Sequence, residues 1–243
     1  MAYSRRYFQF YSHVLQRDLD VLHFGNWGYP MLVFPTSRGR FFDAEDRGLI
    51  ASLHRHIDQG YLQVFCVETL DWELLLACGV SFAERRERWL ALERHWTDEF
   101  IPYVRHKAQN DFLVAAGCSL GATHAINLTL RHPDLVRRVL AMGGPYDLDN
   151  IASLFGKGGP ELSRQLYFIN PMAYMANMSY QYWLQMGGGH TQINLLSAHH
   201  DFCLDDHLRL AGLLGRNGID HHLEVWDGGH DWPVWCAQIA AFA

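Results

Sequence analysis

Along the chain, short apolar runs alternate with longer stretches whose apolar residues recur every three or four positions. Residues 31–35, 62–67, 112–116, 136–142, 193–198 and 221–226 are runs of strand length. The segment 44–59 carries Leu49, Ile50, Leu53 and Ile57 at helical spacing and stops at Gly60. A long helix is predicted over 82–106, with acids early and bases late as its dipole prefers. Further helices are predicted over 122–131 and 204–216, and a last amphipathic one begins near Asp231. Residues 6–11 and 20–24 fit an antiparallel hairpin at the edge of the sheet. Strands alternating with helices of this length imply βαβ units, hence an α/β fold with a mostly parallel central sheet and helices on both faces. Regularity lapses after the sixth strand. Residues 144–190 are rich in Gly, Asn, Tyr and Met and are expected to form a loop-rich, cap-like excursion. With no internal repeat and no Pro/Ser-rich linker, residues 1–243 are expected to be one domain.

Composition narrows the class. A hydrophobic fraction of 49% and a net charge of −6 over 243 residues exclude disorder as the dominant state. No run of 18 apolar residues is present, so no membrane partner is expected, and the opening Met-Ala-Tyr-Ser-Arg-Arg lacks the marks of a secretory signal. The acidic balance, without a basic stripe, argues against a nucleic-acid partner. Five cysteines at irregular spacing, none in a C-x-x-C pair, suit neither a disulfide framework nor a zinc knuckle. Reduced thiols in a cytoplasmic protein are the expectation.

The strongest chemical signal is Gly117-Cys118-Ser119-Leu120-Gly121, set between a strand and a helix. A serine at such a turn has a strained backbone, and glycines two before and two after it remove the collisions that larger residues would make. Its hydroxyl is then lifted above the sheet. A glycine-rich turn without catalysis is the plain alternative. A serine hydroxyl is a weak nucleophile at neutral pH and needs a general base, itself oriented by an acid. In this strand–turn–helix context the chain order is serine, acid, histidine. The last strand runs into Asp227-Gly228-Gly229-His230, which puts His230 on a flexible loop at the sheet edge, where the base belongs. For the acid, the loop after 193–198 offers Asp201, Asp205 and Asp206. Asp205 and Asp206 fall in a helix's first turn, where serving the dipole is sufficient reason for them. Asp201 precedes that helix and is the first choice, and Asp147 is the other acid the topology permits. His199 and His200 beside it are adjacent in sequence, point different ways and lack a third ligand at suitable spacing, so no metal is expected.

Acyl transfer also needs backbone N–H groups facing the oxyanion. Leu120, following the serine, supplies one. The loop Pro35-Thr36-Ser37-Arg38-Gly39 must supply the other, with Ser37 the first choice and Thr36 the second, because proline has no N–H. Trp72, Tyr146, Phe155, Tyr167, Phe168 and Tyr174 lie in or near loops above the strand ends, where each either walls a substrate pocket or fills core.

These residues resemble the esterase D, feruloyl esterase and antigen 85-like group of the α/β-hydrolase superfamily. The resemblance is carried by Gly117-Cys118-Ser119-Leu120-Gly121-Ala122, by His199-His200-Asp201-Phe202 before a helix, and most specifically by Gly228-Gly229-His230-Asp231-Trp232 with Trp235 three further on. It implies an α/β-hydrolase fold, a Ser119–Asp201–His230 triad and no cofactor. The loop at Pro35 departs from the His-Gly type of many relatives. The expected function is a serine carboxylesterase acting on small or medium acyl esters through an acyl-enzyme, with a small-molecule ester as its partner and a homo-oligomer compatible with the sequence. An acyltransferase or thioesterase using the same residues is the alternative, and a non-catalytic binding protein of the same fold is a third reading.

Overall fold

The computed structural model describes residues 3–74, 76–77, 79–153 and 160–243, with the side chains of 151–153 and 160–162 left aside. Among the described residues, eight strands make up the sheet: β1 (Arg5–Ser12), β2 (Arg17–Phe24), β3 (Tyr29–Phe34), β4 (Leu62–Cys66), β5 (Val114–Cys118), β6 (Arg138–Met142), β7 (Gln192–His200) and β8 (His222–Gly229). Their spatial order is β1-β2-β4-β3-β5-β6-β7-β8. β2 runs antiparallel to both β1 and β4, and every pairing from β4 through β3 to β8 is parallel. This is the mostly parallel α/β architecture that the alternating pattern implies.

The pleat divides the core. Leu32, Phe34 and Ala115 face one side, while Met31, Val33, Val114 and Ala116 face the other. On the first side lie the long helical segment 82–108, the helix Leu120–Arg131 and the helix Leu204–Arg216. On the second lie the short helices between 43 and 58 and the C-terminal helix Trp232–Phe242. Every residue from Leu120 to Leu130 is buried, because this helix is enclosed by the sheet below and the 144–190 excursion above. Asn127 joins the two layers by donating to Ile169 O at 2.9 Å and accepting from Tyr174 OH at 3.0 Å.

Several expected boundaries shift. The helix expected over 44–59 is three short pieces, Asp43–Asp46, Leu49–Ser52 and His54–Asp58. Gly48, at φ +86°, turns the chain between the first two, which the spacing of Leu49, Ile50, Leu53 and Ile57 could not reveal. The long helix contains a π-turn, His95–Phe100, just before Pro102, whose missing N–H breaks the regular ladder. β5 starts two residues later than the apolar run and reaches Cys118, so that Ser119 directly follows the strand. β8 extends through Gly229, which makes His230 part of a tight bend rather than of a flexible loop. Between β6 and β7 the chain forms short helices, among them Leu148–Ser153, Pro160–Leu166, Pro171–Met175 and Tyr180–Gln185. Among the described residues, no helix is long and apolar enough to cross a membrane.

Candidate active site

The elbow is built by close backbone contact. A Cβ on Gly117 would sit 2.2 Å from Gly121 O, and one on Gly121 would sit 2.3 Å from Phe34 O and 2.4 Å from Pro35 O. Only glycine at both positions lets the helix start this close to β5 and to the loop after β3. Between them Ser119 adopts φ +54°, ψ −128°, a strained conformation for a side-chain-bearing residue. Its N–H donates to Met142 O at 2.9 Å, fixing the turn to β6. Cys118 points away from this helix into the opposite core face, where burial pushes its thiol well above the ordinary range.

His230 and Asp201 reach Ser119 from the two strands at the far edge. Ser119 Oγ donates to His230 Nε2 at 3.0 Å, and His230 Nδ1–H donates to Asp201 Oδ1 at 2.9 Å. The same oxygen accepts the Cys203 N–H at 2.8 Å. A register shift in the β7–β8 ladder between Ala198 and His200 turns the chain just before Asp201. On the other strand, Gly228 at φ +128° packs where a Cβ would lie 2.4 Å from Val234 Cγ2. Asp231 caps the following helix by accepting the Val234 N–H at 3.1 Å. The Gly-Gly-His-Asp run is therefore a bend and a helix cap with His230 held between them.

Burial pushes the Asp201 carboxyl upward, but hydrogen bonds from His230 and the Cys203 amide outweigh it and hold the group below the usual aspartate range. The carboxylate is thus ionised beneath the imidazole. Phe202, exposed, lies with its ring centroid 4.1 Å from that of His230, and Trp235 approaches His230 edge-on at 4.8 Å. The sequence offers Phe202 and Trp235 only as positions in the motifs that carry the resemblance and gives no sign of either ring contact.

The other candidates fall elsewhere. Asp205 is exposed. Asp206 accepts the backbone N–H groups of Tyr146 at 2.7 Å and Asp147 at 2.9 Å, tying the start of the excursion to the helix Leu204–Arg216. Asp147 pairs with Arg209 at 2.9 Å. His199 and His200 are exposed at the end of β7. Asp201, Cys203 and His230 bring three metal-ligating atoms within 4.8 Å of one another, but two of these residues are already hydrogen-bonded to each other.

Leu120 opens the helix after Ser119, so its N–H belongs to the first turn, whose amides lack intrahelical partners. Thr36 and Ser37 stand in a turn closed by Gly39 N–H to Thr36 O at 2.8 Å, and the clash positions of Gly121 put this loop's start against the elbow.

Of the aromatic residues, Trp72 helps line a cleft of about 220 Å³ with Gly39, Arg40, Leu70 and Asp71, and Arg38 lies over its ring at 4.7 Å. Tyr146 is fully buried against His207. Tyr167, Phe168 and Tyr174 wall a different cavity, about 330 Å³, with Leu130 and Arg131. Those last two residues end the helix that begins after Ser119, about 15 Å away at 1.5 Å per residue, so these three rings do not surround the serine. Phe155 lies outside the described residues.

The sheet order, the elbow and the converging serine, histidine and aspartate define a member of the α/β-hydrolase class. The family model described as "Putative esterase" matches residues 70–242, and the chain belongs to that family of carboxylic ester hydrolases. Solved structures with the same fold include a ferulic acid esterase, 18% identical over 99% of this chain and 96% of that one, with a TM-score of 0.73. An S-formylglutathione hydrolase from Agrobacterium tumefaciens is 11% identical, covering 99% and 93%, with a TM-score of 0.76. A fluorophosphonate-binding serine hydrolase of Staphylococcus aureus is 13% identical, covering 100% and 97%, with a TM-score of 0.73. No curated protein matches the sequence.

Proposed function

We propose that the protein is a serine carboxylesterase that hydrolyses small or medium acyl esters through an acyl-enzyme. The observation that carries this reading is His230 bridging Ser119 Oγ at 3.0 Å and the Asp201 carboxylate at 2.9 Å. In the first half-reaction Ser119 Oγ attacks the ester carbonyl carbon while His230 Nε2 takes the hydroxyl proton. Negative charge then gathers on the carbonyl oxygen, facing the N–H groups of Leu120 and Ser37. As the intermediate collapses, the carbon–oxygen bond to the alcohol breaks and the alcohol leaves with the proton from His230. Water repeats the sequence on the acyl-serine, releasing the carboxylic acid and restoring Ser119. Asp201 holds Nδ1–H throughout, which leaves Nε2 free to accept and stabilises the imidazolium. No step calls for a cofactor.

The excursion 144–190 is read as a cap-like part of one catalytic unit spanning 1–243. Free thiols at Cys66, Cys118, Cys203 and Cys236 fit a reducing, cytoplasmic setting. The test is a fluorophosphonate probe together with a panel of p-nitrophenyl esters of increasing chain length. Wild-type protein should label and cleave the shorter esters, and Ser119→Ala should do neither. Wild-type protein that fails to label, or a Ser119→Ala variant as active as wild type, would overturn the reading.

A further inference from the structure

Two buried polar atoms beside His230, Asp201 Oδ2 and Trp235 Nε1, have no hydrogen-bond partner among the described residues. An ionised carboxylate can only accept, and an indole N–H can only donate. They border one spot. A Cβ placed on Gly143 would lie 2.6 Å from Asp201 Oδ2, 2.9 Å from Trp235 Nε1 and 3.3 Å from His230 Nδ1. Gly143, at φ +58°, puts no side chain into that spot, which the donor and the acceptor both border. Trp235 is 3% exposed, and its helix is fixed one turn earlier by the Asp231 cap. The other carboxylate oxygen, Oδ1, is already taken by His230 and the Cys203 amide. Leaving two opposed groups unmatched in a buried site is costly.

We infer that Trp235 is a positioning residue, whose indole N–H donates to Asp201 Oδ2 and keeps the carboxylate aimed at His230. This inference rests on the triad reading above. The clamp stops the carboxylate from swinging as His230 gains its proton, and it draws off part of the negative charge that His230 feels. Removing the N–H therefore loosens the acid and leaves more charge beside the imidazolium. The first effect lowers kcat, and the second moves the acid limb of the pH–rate profile to higher pH. His207, Cys203, Tyr146 and Asp206 are the other titratable groups around Asp201, and the substitution leaves them in place. His207 Nδ1 is another buried nitrogen without a partner, on a ring that feels the charge of Asp201.

The experiment is Trp235→Phe, which keeps an aromatic ring against His230 and deletes the N–H. With p-nitrophenyl acetate and active sites counted by fluorophosphonate, kcat should fall about tenfold, KM should stay nearly constant, and the acid limb should move up in pH. Unchanged kcat and acid limb in the variant would overturn the inference while the triad reading stands. Wild-type protein that neither labels nor hydrolyses the ester would overturn both. Should Trp235→Phe not fold, protein with ¹⁵N-tryptophan gives a second reading. One indole N–H signal should lie downfield in wild type and move upfield in Asp201→Ala. If no indole signal responds, the Oδ2 partner is not Trp235.

Discussion

Asp201 is 5% exposed and carries its charge there because two N–H donors converge on one oxygen. Replacing it by Asn keeps the shape but can present an N–H where His230 needs an acceptor. Asp201→Asn should therefore lower kcat by about 10³–10⁴ while leaving thermal unfolding nearly unchanged. Asp206, five residues on, uses its carboxylate on two backbone amides of the excursion. Asp206→Asn should cost about 1 kcal/mol of stability and little kcat. Comparing the pair by steady-state kinetics and thermal melts checks the assignment: a dead Asp206→Asn beside an active Asp201→Asn would reverse it. The general base also has to be neutral to accept the serine proton, so kcat/KM should rise with pH through a single ionisation. A flat profile across the acidic range would exclude a histidine base.

At the scale of elements, the site depends on three backbones meeting at the elbow. Gly121 is the point where the helix Leu120–Arg131 touches the end of β3 and the loop that carries Thr36 and Ser37. An added methyl would meet the carbonyl oxygens of Phe34, at the end of β3, and Pro35, at the start of the loop, neither of which can rotate aside as a side chain would. Gly121→Ala should destabilise the fold by about 1–3 kcal/mol. It should also reduce ester hydrolysis beyond what the remaining folded fraction explains, because the loop proposed to face the oxyanion is pushed away. Melting temperature and kcat measured on the same sample separate the two effects. An unchanged melting temperature would mean that the loop yields more easily than the packing implies. The register shift in β7 acts similarly at the other edge: one irregular step after Ala198 sets where Asp201 emerges.

For the whole molecule, buried histidines couple stability to pH. Burial drives His207 down to about 3, only partly opposed by Asp201, and drives His23 to about 4, where it stacks on Phe65 at 4.1 Å. In the unfolded chain both titrate near the ordinary ~6.5. Above that value neither state binds these protons, and the two groups add no pH dependence. Below it the unfolded chain takes up protons that the folded one refuses, so stability falls by about 1.4 kcal/mol per pH unit for each, down to about pH 4 for His23 and about pH 3 for His207. Urea midpoints should therefore drop steeply on acidification below about pH 6.5. His207→Gln, which retains an acceptor for the Gly144 N–H bonded to His207 Nε2 at 2.8 Å, should make that slope shallower. An equal slope in wild type and variant would show that His207 is not a source of it.

Local pattern along the chain is enough for much of the architecture. Apolar runs and helical spacing marked six of the eight strands, the hairpin supplied the other two, and the helix Leu204–Arg216 was legible to the residue because its amphipathic face is continuous. Ser119, Asp201 and His230 were legible as candidates because each sits at the end of a strand beside a turn signal. Tertiary structure decided whatever depends on contacts distant in the chain. The antiparallel seat of β2 between β1 and β4 is set by pairing with residues 40 positions away. The aromatic rings of 167–174 turned to a cavity at the far end of the buried helix, because enclosing that helix requires apolar cover there. Trp235 and Gly143 came to share one spot with Asp201 only when β6, β7 and the last helix were packed together, and no spacing within a single segment encodes that meeting.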